Sequence, residues 1–100
     1  MLTTPLADPS RTHVFHQYVV MTPKREALRE HLASHDIETG IHYPVPIHRQ
    51  TAWLRTYGES PALPNAEQAA REMLSIPVHA DLADEEVERV ADTVADFFQR

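Results

Sequence analysis

Cysteine is missing from this 100-residue chain, and glycine, lysine and positive charge are scarce. Without cysteine there is no disulfide framework, no thiolate nucleophile and no Cys-ligated zinc. The two glycines, Gly40 and Gly58, are too far apart to build a glycine-rich loop around a phosphate. Lys24 is the only lysine, and nine basic against fifteen acidic side chains give a formal charge of -6. That balance argues against a nucleic-acid surface or an anionic membrane, both of which need clustered Lys and Arg. No apolar run approaches the about 20 residues that span a bilayer. The start, Met1 to Thr12, has neither a basic nor an apolar signal region, so a cytoplasmic location is the expectation.

What is present is ordinary for one small globular domain. Hydrophobic residues make up 42% of the chain and charged residues 24%, too apolar a mixture for disorder. Residues 1–12 hold Pro5, Pro9 and Ser10 and read as an irregular lead-in, with the domain proper over 13–100. Residues 13–20, His-Val-Phe-His-Gln-Tyr-Val-Val, are rich in β-branched and aromatic side chains and predict a strand. Its alternation would set Val14, His16, Tyr18 and Val20 on one face. Thr22-Pro23 predicts an N-cap and first helical position for a helix to about His35, buried through Leu28 and Leu32. Ile37 to Ile41 predicts a second short strand. Pro44 and Pro46 forbid regular structure over 42–50 and make it a stiff loop.

Trp53, Leu54 and Tyr57 predict a helical turn, and Pro64 opens a helix through Leu74. A strand follows at 75–78, with Pro77 at an edge or end. The last helix carries the clearest pattern: Val87, Val90, Ala91, Val94 and Phe98 repeat at helical spacing. Ala83 is its weak N-cap, with Glu86 at N3 and a staple between Leu82 and Val87. The order β-α-β-loop-α-β-α predicts an α+β fold, a short, partly antiparallel sheet with helices packed on one face.

Two groups carry chemistry. His31 and His35 stand four apart on a helix, a spacing at which two ligands reach one ion. The zincin glutamate is missing between them, and two polar residues near a helix C-terminus explain the pair as well. No metal site is therefore assigned. The loop concentrates His42, Tyr43, His48, Arg49 and Gln50 on a proline-stiffened backbone, as a polar ligand site requires. The alternative is a surface loop with Tyr43 packed on the helices. No nucleophile elbow exists, and Asp84-Glu85-Glu86 suit a solvated helix N-terminus better than acid–base catalysis.

These segments in order resemble the C-terminal domain of the DegT/DnrJ/StrS sugar aminotransferases. The resemblance rests on the strand at 13–20 and on Gly-Ile-His-Tyr-Pro-Val-Pro-Ile-His-Arg-Gln at 40–50. Leu63-Pro64-Asn65-Ala66-Glu67, Leu74-Ser75-Ile76-Pro77-Val78-His79 and Leu82-Ala83-Asp84-Glu85-Glu86 complete it. It covers about residues 5–98. It implies the small domain of the type I fold dependent on pyridoxal 5'-phosphate. The activity implied is transfer of an amino group, usually from glutamate, to a nucleotide-linked keto sugar in polysaccharide or antibiotic amino-sugar synthesis. A homodimer is implied, with His42, Tyr43, His48 and Gln50 on the substrate side of the active site and His16 near it.

Thr51, Trp53 and Ala83 depart from the family's usual Pro, Tyr and Thr. The large domain, with its Schiff-base lysine and phosphate-binding groups, is outside this chain. No catalytic or cofactor-binding residue is therefore assigned, and Lys24, at the start of a surface helix, is no substitute. The chain is expected to bind no cofactor alone, to be inactive, and to expose apolar surface that its own large domain would cover. The other reading is a free-standing, non-catalytic module that binds a nucleotide sugar or a protein.

Overall fold

A computed structural model describes residues 1–99. Two short strands form its centre: β1 (Tyr18–Met21) and β2 (Met73–Ile76), paired antiparallel with Tyr18 opposite Ile76 and Met21 opposite Met73. Each strand gains one more partner on its outer edge. Met21 exchanges both backbone hydrogen bonds with Thr3, and Ser75 does the same with Gly40. A residue's N–H and C=O point to one side of a strand, so Thr3 and Gly40 flank the pair on opposite edges.

The predicted strands are longer than the observed ones. Residues 13–17 are irregular, because Phe15 adopts a positive φ of 47° that breaks extended pairing. The Phe15 amide is instead held by His13 Nδ1 at 2.8 Å, and the Phe15 ring stacks between His13 and Tyr18. Local aromatic packing has replaced the alternation expected for Val14 and His16, both of which are exposed. The strand expected at 37–41 reduces to the single bridge at Gly40.

Helix α1 (Arg25–Ser34) begins later than Thr22 suggests. Thr22 is fully buried; its amide donates to the Glu72 carbonyl, and its hydroxyl accepts the Lys24 N–H at 3.1 Å. A turn through Pro23 and Lys24 thus precedes the helix. At the other end Asp36, with φ 58°, takes the left-handed position usually given to glycine. Asp36 N–H donates to the Ala33 carbonyl and Ile37 N–H to the Leu32 carbonyl, closing a Schellman motif. That motif turns buried Ile37 back against Leu32.

The loop is less irregular than its prolines imply. A single 3-10 turn spans Ile47–Arg49, entered from Pro46 at φ -65° and ψ 153°. Proline suits that entry because its fixed φ is already correct and its missing N–H is not needed. Helix α2 (Thr51–Tyr57) follows and ends on Gly58, whose φ of 76° requires glycine. Helix α3 (Pro64–Glu72) runs straight into β2, two residues earlier than the sequence pattern places its end. Helix α4 (Asp84–Gln99) forms as expected, and the Ala83 N–H is capped by the Glu86 carboxylate at 3.0 Å. Half of a capping box therefore forms without a hydroxyl at the cap.

Val20, Leu28, Leu32, Ile37, Leu74 and Val94 make the buried core. Only Val94 of the predicted α4 stripe is fully inside. Val87, Val90, Ala91 and Phe98 instead wall an apolar groove of about 840 Å³ against Leu2, Tyr18 and Ile76. The molecule is open for its size. Its radius of gyration is 15.9 Å, against about 13 Å for a compact 100-residue domain. Its accessible surface is 7605 Å², about 1,800 Å² more than the usual scaling gives for this mass.

Candidate functional site

The loop hangs between β2 and α3, and both hold it by polar contacts. His48 is 3% exposed and so belongs to the buried interior. The 3-10 turn points its ring at α3, where Nε2 lies 3.5 Å from Glu67 Oε1. Within the described residues this Nε2 makes no hydrogen bond of good geometry. The same Glu67 oxygen receives the Arg49 guanidinium. The hydrogen bond from Arg49, its charge and nearby His48 hold the Glu67 carboxyl below the usual carboxylate range, against the opposing effect of desolvation. On the far side, the Ser60 hydroxyl donates to the His48 carbonyl at 2.5 Å.

Gln50 braces the loop from within, donating its amide N–H to the Val45 carbonyl at 3.2 Å. At the β2 end, His42 Nδ1 lies 3.2 Å from Ser75 Oγ, and the Ser75 hydroxyl donates to Gln17 Oε1 at 3.4 Å. Tyr43 meets the His42 ring edge-on at 5.5 Å and is 70% exposed, so it is not packed on the helices. His16 is exposed in the irregular segment before β1, where its neighbour Gln17 makes the contact with Ser75.

The structure therefore gathers the loop residues into two clusters. One is His42 with Tyr43, Ser75 and Gln17; the other is His48 with Arg49, Glu67 and Ser60. Ser75, Gln17 and Glu67 were not legible as site residues. Ser75 carried a weak signal, being the one polar residue inside the strand Met-Leu-Ser-Ile. Glu67 had none, because an acid in the first turn of a helix is ordinary.

His31 and His35 lie with ring centroids 4.6 Å apart, but their nitrogens face protein oxygens. His31 Nε2 is 3.2 Å from the Thr93 carbonyl and His35 Nδ1 is 2.9 Å from the His31 carbonyl. Among the described residues no three His, Cys, Asp or Glu are placed to hold a metal ion. No helix among them is long and apolar enough to cross a membrane.

A two-stranded antiparallel sheet with helices α1 to α4 and a proline-stiffened polar loop is the α+β small domain of the type I aminotransferase fold. The chain belongs to the DegT/DnrJ/EryC1/StrS aminotransferase family, which it matches over residues 1–95. It is 36% identical over 99 residues to a pleiotropic regulatory protein of Geobacillus stearothermophilus, covering 99% of this chain and 27% of that one. It is 40% identical over 90 residues to dTDP-3-amino-3,6-dideoxy-alpha-D-galactopyranose transaminase of Aneurinibacillus thermoaerophilus, covering 90% and 24%. The crystal structure of S. venezuelae DesV in complex with a ketimine intermediate superimposes with a TM-score of 0.91 at 37% identity, covering 99% of this chain and 27% of DesV. The chain thus spans about a quarter of the length of the curated relatives it matches.

The family works with pyridoxal 5'-phosphate, and the residues present do not fit that cofactor. Lys24, the only lysine, is exposed at the N-cap of α1 and lines neither the apolar groove nor the smaller cleft beside Glu67. A lysine in solvent has no apolar pocket to activate it as an imine former.

Proposed function

We propose that this chain is the small, substrate-facing domain of an aminotransferase acting on a nucleotide-linked keto sugar, with glutamate as the amino donor. In this reading the domain is 13–100 and 1–12 lead into it, with Thr3 pairing back onto Met21. The complete enzyme is a cytoplasmic homodimer in this reading, and its product feeds amino-sugar synthesis. The observation that carries the reading is a mismatch of coverage. Nearly all of this chain aligns with about a quarter of each relative, while its sole lysine stands in solvent. The excess surface of about 1,800 Å² supports it, since an inter-domain contact of about 600–1,500 Å² would remove much of it.

In this role His42, Tyr43, His48 and Gln50 contribute binding and orientation, with His16 at the margin. Imidazole, phenol and amide groups on a braced loop suit the hydroxyls of a sugar, which both donate and accept hydrogen bonds. The cluster of buried His48 with Glu67 and the exposed Arg49 supports the loop from beneath. The isolated chain does not transaminate.

Two experiments test this. The purified chain, mixed with pyridoxal 5'-phosphate, should show no imine absorbance; an imine that disappears in Lys24→Ala would overturn the inactivity. Residues 1–95 should also replace the matching segment of the Aneurinibacillus transaminase with activity retained. His42→Ala and Gln50→Ala in that chimera should lower kcat/KM at least tenfold. A folded but inactive chimera, or an indifferent loop, would reject the substrate-facing role.

A further inference from the structure

The contact between Ser75 and His42 determines where the imidazole proton sits. Ser75 has no backbone freedom: its N–H donates to the Gly40 carbonyl at 2.7 Å, and its carbonyl accepts the Gly40 N–H at 3.0 Å. Its hydroxyl has one proton, and that proton goes to the Gln17 side-chain carbonyl at 3.4 Å. Toward His42 Nδ1, 3.2 Å away, the hydroxyl can then only accept. With the Ser75 proton on Gln17, Nδ1 carries the hydrogen and the lone pair of the neutral ring falls on Nε2.

Gly40 makes room for this arrangement. A Cβ on Gly40 would lie 2.6 Å from His42 Cε1, 3.3 Å from Nε2 and 3.4 Å from Nδ1. The imidazole folds over Gly40 because no side chain is there. One residue pair, Gly40 and Ser75, therefore provides both the backbone bridge and the seat of the ring.

We propose that Ser75 is a positioning residue that holds His42 in the Nδ1–H tautomer, leaving Nε2 to accept a hydrogen bond from a hydroxyl of the sugar substrate, with Gly40 providing the space for the ring. The acceptor role rests on the substrate-facing reading of the loop; the tautomer does not.

The test is the pair of ring ¹⁵N resonances of His42 in the 100-residue chain, recorded without substrate at about pH 8.5, above the ordinary imidazole pKa of about 6.5. Nδ1 should resonate as a protonated nitrogen and Nε2 as an unprotonated one. Ser75→Ala should collapse that separation toward averaged values, and Ser75→Thr, which keeps the hydroxyl, should restore it. Gly40→Ala should also collapse it while the melting temperature changes little, since the ring can swing away. Gln17→Leu leaves β2 intact and reads the same point if Ser75→Ala fails to fold. With the carbonyl gone, the Ser75 proton turns to Nδ1 and the tautomer reverses. A reversed or averaged spectrum in the wild type, or one unchanged in Ser75→Ala or Gln17→Leu, would overturn the proposal. The substrate arm is read in the chimera, where Ser75→Ala should lower kcat/KM and Ser75→Thr should recover it. An inactive chimera with the expected tautomer rejects the substrate reading; an active one with the reversed tautomer rejects the positioning role.

Discussion

The side of the molecule built from β1, β2, α1 and α4 differs from the side built from the loop, α2 and α3. The first, with Ile37 in the turn just after α1, supplies all six residues of the buried apolar cluster, from Val20 to Val94. The stretch from Tyr43 to Leu63 supplies none, and α2 has no buried residue at all. It instead exposes Tyr43, Val45, Ile47, Leu54, Tyr57 and Leu63. What holds it are Arg49 and His48 at Glu67, Ser60 on the His48 carbonyl, Gln50 on Val45 and Trp53 Nε1 on the Glu59 carbonyl. The first side holds the buried core and opens along α4 into the apolar groove. The second is a shaped surface, held in form by hydrogen bonds and proline geometry, whose apolar side chains await a cover.

Substitutions should separate the two sides. Leu32→Ala removes a fully buried side chain and should cost about 2–5 kcal/mol in denaturant unfolding. Ile47→Ala, at a residue 72% exposed, should stay within about 0.5 kcal/mol. Equal losses at the two positions would break the distinction. Ser60→Ala should cost about 1 kcal/mol, read by the same method, because the His48 carbonyl loses its donor.

Acid should act on the second side through Glu67. Its folded-state carboxyl titrates below the ordinary 4.5, so its contribution is present above that pH and is lost as the pH falls through the folded value. Thermal melts between about pH 6 and pH 3 should show a shallower decline for Glu67→Gln than for the wild type. Glu26 and Asp8 are lowered in the same direction, so part of the slope should persist. The smallest effect should come from Arg29→Gln on α1, which removes an exposed pair with Glu26. That effect should sit near the limit of measurement and should vanish in high salt.

Much of the side that holds the buried core was legible. The spacing of Leu28 and Leu32, and of the valines in α4, follows the helical repeat, and both helices form where that repeat lies. The failures have local causes. Val14 and Phe15 have strand propensity, yet His13 captures the Phe15 amide and the rings stack, so the strand starts at Tyr18. The α4 stripe repeats at the expected spacing, yet Val87 is 50% exposed. Periodicity marks a face as apolar but does not say what covers it. The loop was legible as stiff and polar, but its 3-10 turn was not, because a turn of three residues leaves no repeat to count.

The amino-acid sequence alone determined the α+β class, the helices, the proline-stiffened loop and the family resemblance. Those properties are local, set by spacing, capping and backbone restriction along the chain. Tertiary structure decided which groups act together. Gln17, Gly40, His42 and Ser75 meet only because β2 lies between β1 and the Gly40 bridge. Glu67 reaches His48 and Arg49 only because α3 packs beneath the loop. Hydrogen bonds between residues 18 to 58 positions apart leave no periodic trace, so the partners of each imidazole were fixed by the fold and not by the pattern.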